Sequence, residues 1–359
     1  MPTRTDSPCA ARRAASWLPA AALLLGGGPP VALAQNSPEH LYVSDETGGN
    51  VVIVDPQAAS VVARIPVGKR PRGIQLSPDH QRVYVALSGS PIGGPNVDES
   101  KLPPPDRRYD GIGVVDLKTR KLLTTYQSGA DPETFALSHD GKELYVSNED
   151  VGKLSAVDLT TGKVRATVEV GSEPEGVAVS ADDRIVYVTC ETSNNVYVVD
   201  ARGMKVLAQI PTEKRPRAIY LAGTAQRGYV TDEFGAAVTL FSTVDYKPLG
   251  VVALGDPKAV RPMGIASGDG RRLFVTTGRY AALLEIDAGS GKVVRTIDKI
   301  GQRPWGLALS RDGAHAYTAN GPGGDISVID LRSAQVTHVA VGGSPWGIVA
   351  GPAASQAGH

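Results

Sequence analysis

Short runs in which apolar residues alternate with small or polar ones recur along most of the chain, each bounded by Gly, Pro, Asn, Asp or Ser. A period of two places alternate side chains on opposite faces of a strand, and the bounding residues are those that reverse a chain. No stretch holds the 3.6-residue apolar spacing of a helix. One unit reads RGIQLS, a turn of Ser-Pro-Asp type, RVYVA, a loop, IGVVD, a turn like Thr161-Gly162-Lys163, then a run like KVRATVEV. Its Val, Ile, Thr and Tyr content suits pleated, largely buried strands, so each unit predicts four antiparallel strands.

Three landmarks set the repeat. A Tyr-Val strand begins at Leu41, Val83, Leu144, Val186, Gly228, Leu273 (as LFV) and Ala316 (as AYT). A β-branched run ends at Asp55, Asp116, Asp158, Asp200, Ser242, Asp287 and Asp330. A Pro followed two residues later by a small residue stands at 71, 132, 174, 216, 262, 304 and 345. The unit is about 42 residues, the spacing of four-stranded propeller blades. It is lengthened by an insertion at about 88–110 and by a smaller one at 255–260. The expected fold is therefore all-β, a seven-bladed propeller. The chain opens on a second strand and closes on a first strand, so the C-terminal strand must supply the inner strand of the blade that Leu41 begins, closing the ring.

The landmarks LYVSNE, GVAVSADDRIVYVT and NVYVVDARGMKVLAQIPT resemble the YVTN family of β-propeller repeats, over about Leu41 to Pro352. The blade-specific stretches IPVGKRPRGIQLS, SGADPETFALSHDGKELYVSNED, GSEPEGVAVS, KRPRAI, GQRPWGLALS and SPWGIVAGP are similar to one subgroup. That subgroup is the propeller proteins associated with pyrroloquinoline quinone (PQQ)-dependent catabolism. The resemblance implies a role beside alcohol oxidation, with PQQ as a possible ligand. Two departures are the 88–110 insertion and the unit at Pro216, which has Ala218 and Ser242 where other units carry Gly and Asp.

Arg4, Arg12 and Arg13 precede an apolar segment from Ala14 to Leu25, and Ala32-Leu33-Ala34 offers the small residues of a cleavage site. We expect a signal peptide at 1–34, cleavage near Ala34, a single propeller domain over 35–359 and a periplasmic location. The apolar run is too short for the roughly 20 residues of a bilayer span. Lys+Arg and Asp+Glu are equal at 37 each, and no basic run offsets that balance, which argues against nucleic acid as a partner. Cys190 is the one cysteine outside the leader, so no internal disulfide is expected.

Antiparallel strands reverse at each turn, so the loop before every first strand and the loop after every second strand open on one face, at the channel mouth. The residues flanking each Pro are Arg70/Arg72, Asp131/Glu133, Glu173/Glu175, Arg215/Arg217, Arg261/Met263, Arg303/Trp305 and Ser344/Trp346. We therefore expect an acidic arc of Asp131, Glu133, Glu173 and Glu175. The candidate ligand-binding residues are Arg70, Arg72, Arg215, Arg217, Arg261, Arg303, Trp305 and Trp346. Guanidinium forks suit carboxylates and indoles suit flat molecules. Arg and Glu on neighbouring blades could equally pair to fix blade register.

No nucleophile elbow, phosphate loop, haem-attachment motif or metal-ligand spacing is present, and the histidines are scattered. No catalytic or metal residue is assigned. PQQ dehydrogenases carry a vicinal cysteine pair, which Cys190 alone cannot supply. The expected function is a non-catalytic binding or scaffold propeller. Its partners would be a small anionic ligand or a periplasmic protein, a dehydrogenase or transport component. The alternatives are a lactonase-like hydrolase or lyase at the same mouth and a surface protein-interaction propeller.

Overall fold

The computed structural model describes residues 38–93 and 97–353, so the leader and its cleavage site lie outside the described residues. The described chain forms seven four-stranded antiparallel sheets. From inner to outer strand, blade 1 is Pro345–Pro352, Glu39–Asp45, Asn50–Asp55 and Ser60–Pro66. Blade 2 is Ile74–Leu76, Arg82–Leu87, Gly111–Asp116 and Lys121–Tyr126. Blades 3 to 7 begin at Pro132, Pro174, Pro216, Pro262 and Pro304 and repeat that order. The helical elements among the described residues are short 3₁₀ turns. The C-terminal strand pairs with the first strand of the chain, Leu41 opposite Ala350 and Tyr42 opposite Val349, which is the ring closure expected from the phase of the repeats.

The Tyr-Val landmark has a structural reason. Tyr42, Tyr84, Tyr145, Tyr187, Tyr229, Phe274 and Tyr317 are all buried, and each sits in a different one of seven apolar clusters. Each cluster lies between two neighbouring blades. Tyr187 on blade 4, for example, packs with Val230 and Phe241 of blade 5, and Tyr317 on blade 7 with Leu41 and Val43 of blade 1. An aromatic ring buries a large apolar area, so one ring per interface contributes a large share of the blade-to-blade adhesion. No single core serves the molecule; stability is distributed around the ring.

The small residue after each Pro is a matter of close approach. A Cβ added at Gly176 would stand 2.3 Å from the Arg217 carbonyl oxygen, and one at Gly306 would stand 2.8 Å from the Trp346 carbonyl oxygen. Only a minimal side chain lets the next inner strand in that close. Hydroxyls in mid second strand then fasten the same place: Thr189 donates to the Arg217 carbonyl at 2.6 Å, and Thr231 to the Met263 carbonyl at 2.6 Å. The residue after each Pro is thereby held at a fixed radius on the mouth.

Candidate functional site

The mouth is a cavity of about 1790 Å³ lined by loops from all seven blades and by the 88–110 insertion. The residue before the Pro is turned into it by an unusual backbone. Arg70, Asp131, Glu173, Arg215 and Arg303 have φ of 43, 54, 53, 60 and 55°, the left-handed region that costs a non-glycine residue on the order of 1 kcal/mol or more. In exchange its carbonyl accepts the N–H of the residue that directly follows the second strand, as from Glu149 to Asp131, Glu191 to Glu173 and Glu233 to Arg215. The same left-handed turn thus recurs at five of the seven Pro motifs.

On blades 2 and 3 the candidate Arg72 lies buried among three carboxylates. It bonds Asp131 at 2.5 Å and Glu149 at 3.2 Å, pairs with Glu133, and donates to the Pro132 carbonyl at 2.9 Å. On blades 4 and 5 the buried Arg217 pairs with Glu175 and Glu191 and bonds Glu233 at 2.8 Å, while Arg215 reaches Glu191 at 2.7 Å and Glu233 at 3.0 Å. The acidic arc is thus not a free negative surface: Asp131, Glu133 and Glu175 are paired with arginines from the neighbouring blades. Glu173 stays at the cavity wall, bonded by the Thr192 hydroxyl. Arg70 is also committed, bonding Glu46 at 3.1 Å and the carbonyls of Ser90 and Pro91 at 3.1 and 3.2 Å, which holds the insertion against the mouth.

Both networks hold more carboxylates than arginines, which sets buried acids against one another. Burial, opposed by Arg72, raises the Glu149 carboxyl to about 7. Burial and the adjacent charge of Glu175 push Glu191 far above the carboxylate range, whereas Arg217 overcomes burial to hold Glu175 below it. Of this pair Glu191 is the carboxyl that favours its proton and Glu175 the one held as carboxylate.

Blades 6, 7 and 1 differ. Arg261 and Arg303 line the cavity with no carboxylate in ion-pair distance among the described residues. Their contacts are aromatic: Arg261 lies 4.3 Å from the centroid of Phe234, and Arg303 lies 5.1 Å from that of Trp305. Trp305 meets Trp346 edge to face, and Arg279 joins the wall, donating to the Lys258 carbonyl at 3.2 Å. Burial and the positive charges of Arg217, Arg279 and Arg215, only partly offset by Glu233, lower the pKa of Arg303. The Trp305 indole N–H is enclosed without an acceptor among the described residues. Half-buried guanidiniums with spare donors beside flat apolar faces can receive an anion.

Of the eight candidates, the structure leaves Arg261, Arg303, Trp305 and Trp346 facing the cavity together, and ties Arg70, Arg72, Arg215 and Arg217 into carboxylate contacts. Phe234 and Arg279 were not singled out in the sequence, because neither belongs to a Pro motif. Among the described residues no three His, Cys, Asp or Glu are grouped to hold a metal ion, and no helix is long and apolar enough to cross a membrane. Cys190 is buried and unpaired, its thiol pushed up by burial to about 12, so it is a packing residue at neutral pH.

These features define a seven-bladed β-propeller with a polarised, cation-bearing mouth. The chain belongs to the choice-of-anchor I domain family, whose model matches residues 25–212, just over half of the sequence. It is 27% identical to antigen Lp49 of Leptospira interrogans over 30% of its own length and 30% of that protein's, so it spans under a third of that relative. Among solved structures it resembles the periplasmic gluconolactonase of Pseudomonas aeruginosa, with TM-score 0.68 and 22% identity over 86% of this chain and 98% of that one. It also resembles hydrazine synthase of Kuenenia stuttgartiensis, with TM-score 0.66 and 17% identity over 78% and 89%. At such identities the likeness is one of fold, shared by proteins of different chemistry.

Proposed function

We propose that this protein is an exported, non-catalytic binding propeller that serves PQQ-dependent alcohol oxidation by holding an anionic ligand, PQQ itself being the leading candidate, at the channel mouth. One observation carries the reading: every other arginine flanking the Pro motifs is bonded to a carboxylate, whereas Arg261 and Arg303 face the cavity beside Trp305 and Trp346. PQQ is a flat tricarboxylate, which suits guanidinium forks and indole faces together; the resemblance of the blade motifs to PQQ-associated propellers raises it above other anions. Export and a periplasmic location follow from the leader expected at 1–34. Mass spectrometry of small molecules co-purified from the native host tests the ligand: recovery of PQQ or a related polycarboxylate supports the reading, and a different class of molecule at stoichiometric amount overturns it.

A second reading has one observation in its favour. Glu149 lines the same cavity with its carboxyl at about 7, poised for general acid–base work in a lactonase-like hydrolysis. Turnover of aldonolactones by the purified protein, abolished in Glu149→Gln with the fold retained, would select it; absence of turnover leaves the binding reading.

A further inference from the structure

The residue that follows the second strand occupies one equivalent place in every blade: Glu46, Ser88, Glu149, Glu191, Glu233, Gly278 and Gly321 for blades 1 to 7. Its backbone N–H marks the equivalence, bonding the carbonyl of the residue before the Pro at Asp131, Glu173, Arg215 and Arg261 for residues 149, 191, 233 and 278. All four glutamates at this place pair with a ring arginine: Glu46 with Arg70, Glu149 with Arg72, Glu191 and Glu233 with both Arg215 and Arg217. Every paired arginine of the ring therefore has at least one counter-ion from this position.

On the two blades that carry Arg261 and Arg303 the position is glycine. Neither glycine is demanded by the backbone, since neither Gly278 nor Gly321 lies in the left-handed region. Nor is either demanded by crowding in the way Gly176 is. A Cβ at Gly278 would meet Met263 Cγ at 3.1 Å, the Arg261 carbonyl oxygen at 3.5 Å and Arg303 Cγ at 3.7 Å; one at Gly321 would meet nothing nearer than 3.5 Å. Gly278 lines the cavity beside Arg261 and Arg303, so glycine there keeps the cradle open and free of a protein carboxylate; Gly321, where an added Cβ would face Ser344 and the Pro345 carbonyl, leaves the equivalent place on blade 7 uncharged.

We propose that the ligand's own carboxylates take the place of the glutamates missing from blades 6 and 7, so that the mouth selects rigid polycarboxylates, one carboxylate reaching Arg261 and another Arg303, with a flat body against Trp305 and Phe234. This deepens, and rests on, the anion-binding reading above. A monocarboxylate satisfies one guanidinium and leaves the other desolvated and unpaired, which sets a preference for multiple charges. The arginines on blades 2 to 5 are already held by protein carboxylates, so they offer the ligand no second site.

The test is calorimetric titration of the purified full chain with benzene-1,3,5-tricarboxylate and with benzoate. The wild type should bind the tricarboxylate at least tenfold more tightly than benzoate. Gly278→Glu restores the internal counter-ion, so it should weaken tricarboxylate binding at least tenfold while its melting temperature holds or rises; Gly278→Gln, with the same bulk and no charge, should stay within about threefold of wild type. Gly321→Glu, at the roomier position, should weaken binding in the same sense and guards against a folding defect at 278. Equal affinity in wild type and both Glu variants, or equal loss in the Glu and Gln variants at 278, overturns the inference while the anion site stands. No binding of either probe by the wild type overturns the anion-binding reading along with it.

Discussion

Trp305 and Trp346, on neighbouring blades, meet edge to face with ring centroids 5.7 Å apart and planes at 85°. The pair stands where Arg303 and the open cradle at Gly278 converge, so any ligand of the mouth must disturb it. Tryptophan emission should therefore change on ligand binding. The chain's other tryptophan, Trp17, lies outside the described residues. The change should shrink in Trp305→Phe and in Trp346→Phe, each of which leaves one reporting ring; a change as large as in wild type in both variants would place the ligand elsewhere.

Loss of Arg72 should be costly. It is buried and meets Asp131, Glu133 and Glu149, so Arg72→Ala leaves several carboxylates enclosed without their cation. Breaking such a buried pair costs about 3 to 5 kcal/mol. Chemical denaturation should show a loss of that order for Arg72→Ala and almost none for Arg108→Ala, which pairs with Asp106 at the surface. Similar losses for the two would mean that the mouth network contributes no more than a surface pair.

Asp232 supplies a stability effect that depends on pH. It is buried, with one oxygen accepting from Thr239 at 2.7 Å and the other without a partner, and burial raises its pKa to about 7. Asn148 and Asn320 hold the same place on blades 3 and 7 and donate to Ser155 and Ser327 at 2.9 Å. Because the folded pKa lies above the unfolded value of about 3.9, folding takes up a proton in between. Stability is then full below pH 4 and erodes as pH rises toward 7. Asp232→Asn should be near neutral at pH 4 and stabilising by about 2 to 4 kcal/mol at pH 8. Thermal melts at the two pH values check this, and an equal shift at both would contradict the assignment.

Ring closure makes a sharper demand on folding. Deleting residues 345–359 removes the inner strand of blade 1, together with the Ser344-to-Pro345 segment's continuation against Asp45 and the bond from Gly347 N–H to the Ser44 hydroxyl. Two blade faces lose their neighbour at once, so cooperative unfolding should be lost rather than shifted by a local amount. A deletion that melts in one transition at the wild-type temperature would contradict closure by the C-terminal strand.

Much of the scaffold was legible because each blade repeats the same local signals: Tyr for the blade interface, Pro and Gly for the inner strand, Asp for the outer turn. The phase of those signals placed Ala350 beside Leu41 without a structure. The mouth was legible as a set of residues but not as a set of contacts. Arg72 and Glu149 are far apart in sequence and meet only across two blades, so their pairing depends on ring curvature that no local pattern encodes. Gly278 and Gly321 stand out only once the glutamates of other blades are seen at the same place. Phe234 and Arg279 lie after second strands, outside the Pro motif, and only the cavity brings them to Arg261 and Arg303.

The claim that the Arg261/Arg303/Trp305/Trp346 wall binds a flat polyanion is tested most directly by calorimetric titration of the purified protein with PQQ, at low and at raised salt. The account predicts submillimolar binding that weakens with salt, since part of the attraction is Coulombic, and a loss of about 1 to 3 kcal/mol for each of Arg303→Ala and Trp305→Ala. No heat at submillimolar PQQ, or the same affinity in the Arg303→Ala/Trp305→Ala double variant as in wild type, would contradict it.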